Sequence, residues 1–311
     1  MLPVAAHHES RVSPQGEGTV EAVTYPDTDT VVTYPAGSTE SDGTVVHVET
    51  LADGRLVVLL DRTAAHPVDT TWPDQGSDRS TISTSAGETP VLESVVAATD
   101  GSALYVGTDI PVKKGTPGWA FVAAHLMRPD TSLVEGDAVH VTVDPAYRHA
   151  LSAGHTACHL ASLALNSALA GAWKKDVMTD ALGQPNFDAL AIERSTIVEN
   201  GSEDVYRIGK SLRRKGFAAD ALGDLPVLEE AINATLAEWV ATDAPARIDS
   251  DGDGLTDRRY WVCDLPGTAV RIPCGGTHLA SLAEVSSLGV TLHREETDGA
   301  VILTMLTTSS S

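Results

Sequence analysis

The hydrophobic pattern of this chain changes once, near Asp144, and that change limits it to a mixed α and β architecture. Before it, short apolar stretches recur: GTVVHVET, GRLVVLLD, TPVLESVV, SALYVGTD, GWAFVAAHL and DAVHVTVD. Turn residues separate them, as in SDG at 41–43, ADG at 52–54 and TDG at 99–101. Many short strands with such punctuation predict a barrel or sandwich. After it, Gly154 to Lys175 reads GHTACHLASLALNSALAGAWKK, rich in Ala and Leu at helical spacing. A second helix is predicted over 224–242, with Leu225, Leu228, Ile232, Leu236, Trp239 and Val240 on its apolar face. Asp224 suits its N-cap, and Pro226 is tolerated in the first turn. Strands are expected at 259–263, 268–272 and 288–293 and in AVILTML, and the final TTSSS is expected to fray. The predicted organisation is α+β without internal repeats: a β-barrel domain over 1–143, then a two-layer α+β domain over 144–311.

With 311 residues, 42% hydrophobic and 21% charged, the chain can bury a sizeable core. The opening MLPVAAHHESRVSPQGEG has no apolar run of signal-peptide length. No stretch reaches the roughly 20 apolar residues of a membrane span. The expectation is a soluble, cytoplasmic protein with no membrane partner. Three cysteines, Cys158, Cys263 and Cys274, give no disulfide framework; in a reducing compartment they serve as core fillers or metal ligands. Lys and Arg number 21 against 43 Asp and Glu, a net charge of -22. Such a surface repels phosphate at long range, which argues against DNA, and against RNA unless basic residues cluster. Solubility accounts for the acidity itself.

His155 and His159 lie four apart on the first predicted helix, so both imidazoles project from one face. Much later CGGTH sets Cys274 and His278 four apart, with two glycines that let the backbone turn sharply behind the cysteine. Either pair alone is weak. Together they offer three nitrogens and a thiolate, a donor set that suits tetrahedral zinc. Cys158 lies inside the first pair but points to another face, and is assigned to the core.

These two motifs, HTACH at 155–159 and CGGTH at 274–278, resemble the zinc motifs of the alanyl-tRNA synthetase editing domain. Freestanding alanyl-tRNA editing proteins carry the same motifs, and threonyl-tRNA synthetase a related version. EEAINATLAEWV at 229–240, with Asn233 at its centre, looks like a helix of that family, and VRIPCGGTHLASLAEVSSLGVTLHRE like its strand, metal turn and closing strand. The likeness covers roughly residues 144–305. A looser one links LVVLLDRTAAHPVDTTWPDQGSD at 56–78 to the strand and glycine-rich loop of the β-barrel in longer freestanding members. Where that family tends to carry Gly-Gly-Gln, this chain has Thr70, Thr71 and Trp72, which leaves contacts made by that loop open.

The resemblance implies hydrolysis of the ester joining a wrong amino acid to tRNA, serine or glycine on alanine tRNA in alanine-specific members. Zinc can polarise the carbonyl or activate a water. Four protein ligands fill a tetrahedral shell, and filled shells are usually structural, so a substrate-positioning zinc with water attacking nearby is the expectation. Gly275, Gly276 and Thr277 are candidates to line the pocket and offer amides to an oxyanion; the alternative is a turn that merely presents Cys274. Arg148 and His149 lie one to two turns before the first ligand, where they can support a ligand, reach substrate, or pack.

Five of the 21 basic residues, Arg207, Lys210, Arg213, Arg214 and Lys215, fall in YRIGKSLRRKGF at 206–217. Flanked by Tyr206 and Phe217, which could stack on bases, and extended by Lys174 and Lys175, this run is the candidate surface for mischarged tRNA. A solvated loop paired with the chain's own carboxylates is the alternative. IDSDGDGLTDRRY has the opening spacing of a calcium loop in Asp249, Asp251, Asp253 and Asp257, but Tyr260 stands where an EF-hand needs Glu. Two rival functions stay open: a zinc hydrolase of a small ester or amide, and a non-enzymatic module with zinc as a structural clip.

Overall fold

The run LVVLL at 56–60 has no polar alternate positions, so a strand built from it must be covered on both faces. The computed structural model, which describes residues 24–297 and 299–310, shows that arrangement. The opening segment read for a signal peptide lies outside the described residues. Eight strands of the N-terminal half pair: β1 (Glu40–Thr50), β2 (Leu56–Leu60), β3 (Ser80–Thr84), β4 (Gly87–Pro90), β5 (Glu93–Thr99), β6 (Leu104–Val106), β7 (Ala120–Met127) and β8 (Ala138–Val143). Their order is β4-β3-β8-β1-β2-β7-β5-β6. Val57 and Leu59 of β2 pack with Val95 and Val122 on one face, while Val58 and Leu60 pack with Ile82 and Val141 on the other.

The expected strands are present, but no ladder among the described residues closes them into a barrel. The two edges are short and poorly suited to pairing: β4 is GETP, ending in proline, and β6 is three residues. TPVLESVV also divides, its first residues ending β4 and its last opening β5. The polar STIST of β3 gives no apolar signal and escapes a reading based on hydrophobic runs.

Helix α1 spans Pro145–Ala168. It starts at Pro145 rather than Gly154 because the Asp144 carboxylate accepts from the Ala146 and Tyr147 amides, with proline in the first turn. It ends at Ala168 rather than Lys175, passing into a short 3-10 turn over Ala170–Ala172. The other elements are α2 (Phe187–Ala191), β9 (Ile192–Val198), β10 (Gly201–Ile208), α3 (Lys210–Arg214), α4 (Leu225–Val240), β11 (Ala246–Ser250), β12 (Arg259–Leu265), β13 (Thr268–Pro273), β14 (Ser287–Thr297) and β15 (Ala300–Ser310). They form a four-stranded sheet, β9-β10-β15-β14, and a three-stranded one, β11-β12-β13. The molecule is mixed α+β.

The apolar face predicted for α4 is the one it buries: Leu228, Ile232 and Leu236 join Leu160 of α1 and Leu292, Leu303 and Met305 of the sheet. Each fully buried leucine or isoleucine is worth about 1.5–3 kcal/mol. Asp224 caps α4 by accepting from the Val227 amide. Asn233 accepts from the Val290 amide at 2.7 Å and donates to the Val290 carbonyl at 3.1 Å, fixing α4 onto β14. The C-terminal tail corrects its expectation: Thr307 to Ser310 belong to β15, held between β10 and β14, because ladder hydrogen bonds form whatever the side-chain polarity.

A buried ion pair joins the two halves. Arg148 on α1 donates to Asp78 through Nε at 2.8 Å and through Nη2, and to the Ala64 carbonyl at 2.8 Å. The loop after β11 forms a second link, with Leu255 packed on Val96, Phe121 and Tyr34. Its acidic residues act locally: the Asp257 carboxylate accepts from the Gly254 amide at 2.8 Å. Among the described residues, these aspartates form no grouping able to hold a metal.

Candidate metal centre

Two close backbone approaches, each requiring glycine, bring the ligands together. Gly154 presses α1 against the β9–β10 turn; a Cβ there would stand 2.4 Å from the carbonyl oxygens of Val198 and Gly201. The next residue, His155, is thereby set at a fixed depth. From the other side, β13 ends at Pro273 and the chain turns through Cys274 and Gly275. A Cβ on Gly276 would lie 2.4 Å from His155 Cε1 and 2.6 Å from Gln75 Oε1, so only glycine lets this turn pass the imidazole.

The result is one cluster: ligand atoms of His155, His159, Cys274 and His278 all lie within 4.8 Å of one another. Cys274 Sγ is 3.4 Å from His155 Nε2 and 3.2 Å from His278 Nε2. His159 stacks on Trp261, with ring centroids 5.2 Å apart. Its Nε2 is buried and has no hydrogen-bond partner among the described residues.

Burial fixes the protonation of the cluster. Desolvation, helped by nearby His66, pulls His155 down to about 3, and burial holds His159 and His278 well below their ordinary value. All three imidazoles are therefore neutral and offer lone pairs. Burial also pushes the Cys274 thiol up to about 12, against the opposing pull of the Gly276 backbone. A cation at the cluster would reverse that, since a coordinated thiol is deprotonated outright. Three neutral nitrogens, a thiol and an unpartnered buried Nε2 fit a metal ion, and the donor set is compatible with zinc.

The residue that organises the cluster was missed by the sequence reading. Gln75 Oε1 accepts from His155 Nδ1 at 2.7 Å and from the Thr277 amide at 3.0 Å, while Nε2 donates to Thr277 Oγ1 at 2.9 Å. By holding the proton on Nδ1 it aims the Nε2 lone pair of His155 at the cluster. The signal was present in Gln75-Gly76, displaced from Thr70-Thr71-Trp72 by the intervening Pro73 and Asp74. Asp78 fastens the base of the same loop, accepting from the His66 amide at 2.6 Å.

Above the cluster lies a cavity of about 270 Å³, lined among others by His66, Trp72, Asp74, Cys274, Gly275 and Gly276. Thr277 is buried beneath it; its amide is held by Gln75, and its hydroxyl accepts from Ser152 Oγ at 2.9 Å.

No protein-family model matches the chain. The chloroplastic/mitochondrial alanine–tRNA ligase of Micromonas pusilla (strain CCMP1545) is 29% identical over 196 residues, 63% of this chain and 20% of that protein. The alanine–tRNA ligase of Synechococcus sp. (strain WH7803) is 32% identical over 158 residues, 50% of this chain and 15% of that protein. A third, from Synechococcus sp. (strain CC9902), is 31% identical over 157 residues, 49% of the chain and 15% of that protein. The curated homologues of this chain are alanine–tRNA ligases. The match, near 30% over half the chain, is consistent with an alanyl-tRNA synthetase-related editing domain, and the chain spans a fifth or less of these ligases.

All five residues of the basic run are exposed. Arg207, on β10, lies 3.7 Å from Glu193. Lys210, Arg213 and Arg214 form α3, and Lys215 caps it. Arg213 borders a cleft of about 430 Å³ together with Arg294 of β14. Lys175 donates to the Arg214 carbonyl at 2.9 Å, which brings it beside the run. Tyr206 and Phe217, expected to stack on bases, are instead core residues packed around Phe187. The guanidinium of Arg148 is occupied by Asp78 and backbone carbonyls, and His149 bonds Glu284 at 3.2 Å. No helix among the described residues is long and apolar enough to cross a membrane.

Proposed function

We propose that this chain is a zinc-dependent hydrolase that deacylates mischarged aminoacyl-tRNA, with serine or glycine on alanine tRNA as the substrate class. One observation carries the reading: two motifs more than a hundred residues apart converge on an unpartnered His159 Nε2, in a relative of alanine–tRNA ligases. Residues 144–311 form the editing-like domain on this reading, and residues 1–143 the β domain that supplies Gln75. Translation fidelity in the cytoplasm is the corresponding role.

His155, His159, Cys274 and His278 would hold the ion, which supplies carbonyl polarisation and acidification of a water when bound. The protein's own groups do the rest. Gln75 fixes the His155 tautomer and, through Thr277, the metal turn. Gly275 and Gly276 border the cavity, where a turn amide can donate to the oxygen of an ester under attack. Arg148 acts as a positioning residue through Asp78, which anchors the 66–78 loop. Arg213, Arg214, Lys210, Lys215 and Arg207 are the proposed contacts for the tRNA backbone, in a chain whose net charge is -22.

The test compares release of serine from seryl-tRNA bearing the alanine anticodon by wild type and by His159→Ala. Release is expected from wild type, with a loss of at least about 100-fold in the variant, since a ligand supports the ion more directly than the outer partners worth roughly 10–100-fold. The altered 70–74 loop favours one second reading, hydrolysis of a small aminoacyl ester without tRNA. A folded, zinc-loaded wild type that leaves seryl-tRNA intact would move the assignment there.

A further inference from the structure

The cavity over the cluster contains a carboxylate, Asp74, that pairs with no Lys or Arg among the described residues. Asp74 Oδ1 accepts from the Gln75 amide at 2.7 Å, and Oδ2 accepts from Trp72 Nε1 at 3.1 Å. These two bonds fix the carboxylate. Its side chain is 24% exposed and Oδ2 stands 3.8 Å from His155 Nε2. That nitrogen is no partner for it, because the His155 proton is held on Nδ1 by Gln75. Asp74 is not one of the four clustered ligands. Lys114 also borders the cavity, but its ammonium pairs with Asp69 at 3.4 Å. Asp74 pairs with no Lys or Arg among the described residues, so its carboxylate, fixed by those two bonds, stays open to a cationic group of a molecule bound in the cavity.

We infer that Asp74 receives the protonated α-amino group of an aminoacyl ester, so that this cavity selects esters with a free amine over N-acylated ones. The inference rests on the deacylase reading and names the recognition element within it. In an α-aminoacyl ester the ammonium sits one carbon from the carbonyl to be attacked. An acceptor for it must therefore lie close to the metal cluster, and Asp74 Oδ2 stands 3.8 Å from His155 Nε2. The cavity, about 270 Å³, accommodates a small aminoacyl group. Trp72 is the positioning residue: it stands 52% exposed at this cavity and spends its indole N–H on Asp74. Trp72 belongs to the segment that departs from the Gly-Gly-Gln pattern and Asp74 follows it by two residues, so the recognition is a property of this chain's own loop.

The experiment needs wild type, Asp74→Asn and Asp74→Glu, all zinc-loaded, and two probes. The first pair is seryl-tRNA and N-acetylseryl-tRNA; the second is a non-hydrolysable 3′-serylamido adenosine and its N-acetyl counterpart, measured by calorimetry. Asp74→Asn is expected to raise KM for seryl-tRNA by about 10–100-fold, the worth of a charge-assisted hydrogen bond, with a smaller change in kcat. The free-amine analogue should bind correspondingly more weakly to this variant and recover in Asp74→Glu, while the acetylated probes respond to neither change. Wild type that handles free and acetylated probes equally well overturns the inference without any variant. Equal losses for both probes, together with lower zinc content, would make Asp74 a metal ligand and overturn it as well. If wild type releases no serine, the deacylase reading fails, and the calorimetric pair still decides Asp74: discrimination supports ammonium binding, and its absence, including no binding at all, overturns it.

Discussion

Cys274 and Cys158 are both thiols that burial pushes away from ionisation, yet they keep opposite company. Cys274 faces three neutral imidazoles whose lone pairs converge. Cys158 faces a carboxylate, with Sγ 3.5 Å from Asp204 Oδ1. Asp204 in turn accepts from Ser195 Oγ at 2.6 Å and from Ser202 Oγ at 2.8 Å, so its acceptors are filled by hydroxyl donors. In the first region an acceptor, His159 Nε2, lacks a donor; in the second, donors and acceptors match. A buried polar cluster that is complete without a ligand is structure, and one short of a positive charge is a site. On α1, Cys158 is the neighbour of the ligand His159, and about 100° of helical rotation separates the two surroundings.

The largest effect expected from this contrast is on metal content. Cys274→Ser should lose the ion on purification, a drop greater than the roughly 10–100-fold in affinity that outer partners contribute. Cys158→Ser should retain it, since serine can still donate to Asp204. Elemental analysis of the two purified variants decides the matter, and equal metal loss in both would erase the distinction between the regions.

Gln75 sharpens the comparison from the other side, because it is the hydrogen-bond partner that makes one imidazole point at the cluster. Gln75→Ala removes the acceptor of His155 Nδ1–H and of the Thr277 amide together. Metal affinity should fall by about 10–100-fold with the fold retained. Competition against a chelator of known affinity measures it, and an unchanged affinity would mean that the backbone alone orients His155.

The sequence carried different amounts of these two regions. The ligand set was legible because HTACH and CGGTH each repeat a spacing of four on a helix or tight turn, and spacing survives in a string of letters. Strands with continuous apolar runs, such as LVVLL, were legible for the same reason. Ser80–Thr84 and the hairpin over Ile192–Ile208 were not: their residues alternate weakly or carry charge, and what holds them is pairing with strands remote in sequence. Gln75 lies 80 residues before His155 and escaped because its partner is defined only by the fold. Asp204 escaped too, since a buried carboxylate reads as surface until its donors are seen. Barrel closure was an inference from strand count, and strand count does not specify which edges meet.

The smallest effect concerns the carboxylate region and separates a tolerated charge from a useful one. Asp188 lies beside the Asp204 network, and burial pushes its carboxyl up to about 6, with the carboxylates of Asp204 and Asp180 adding to the rise and the Tyr206 hydroxyl opposing it. The folded protein therefore holds this proton more tightly than the unfolded chain, whose ordinary value is 3.8. Between those two values the native state binds more protons, so stability falls as pH rises through that window and stays reduced above it. Asp188→Asn removes the titration while leaving an oxygen to accept from Tyr206. The variant should be more stable than wild type at pH 7 by about 1–2 kcal/mol, discounted for partial exposure, and the gap should close below pH 4. Denaturant melts across that range measure it. A gap that widened on acidification would mean that Asp188 is held as a stabilised anion, and the region around Cys158 would then have a counter-charge after all.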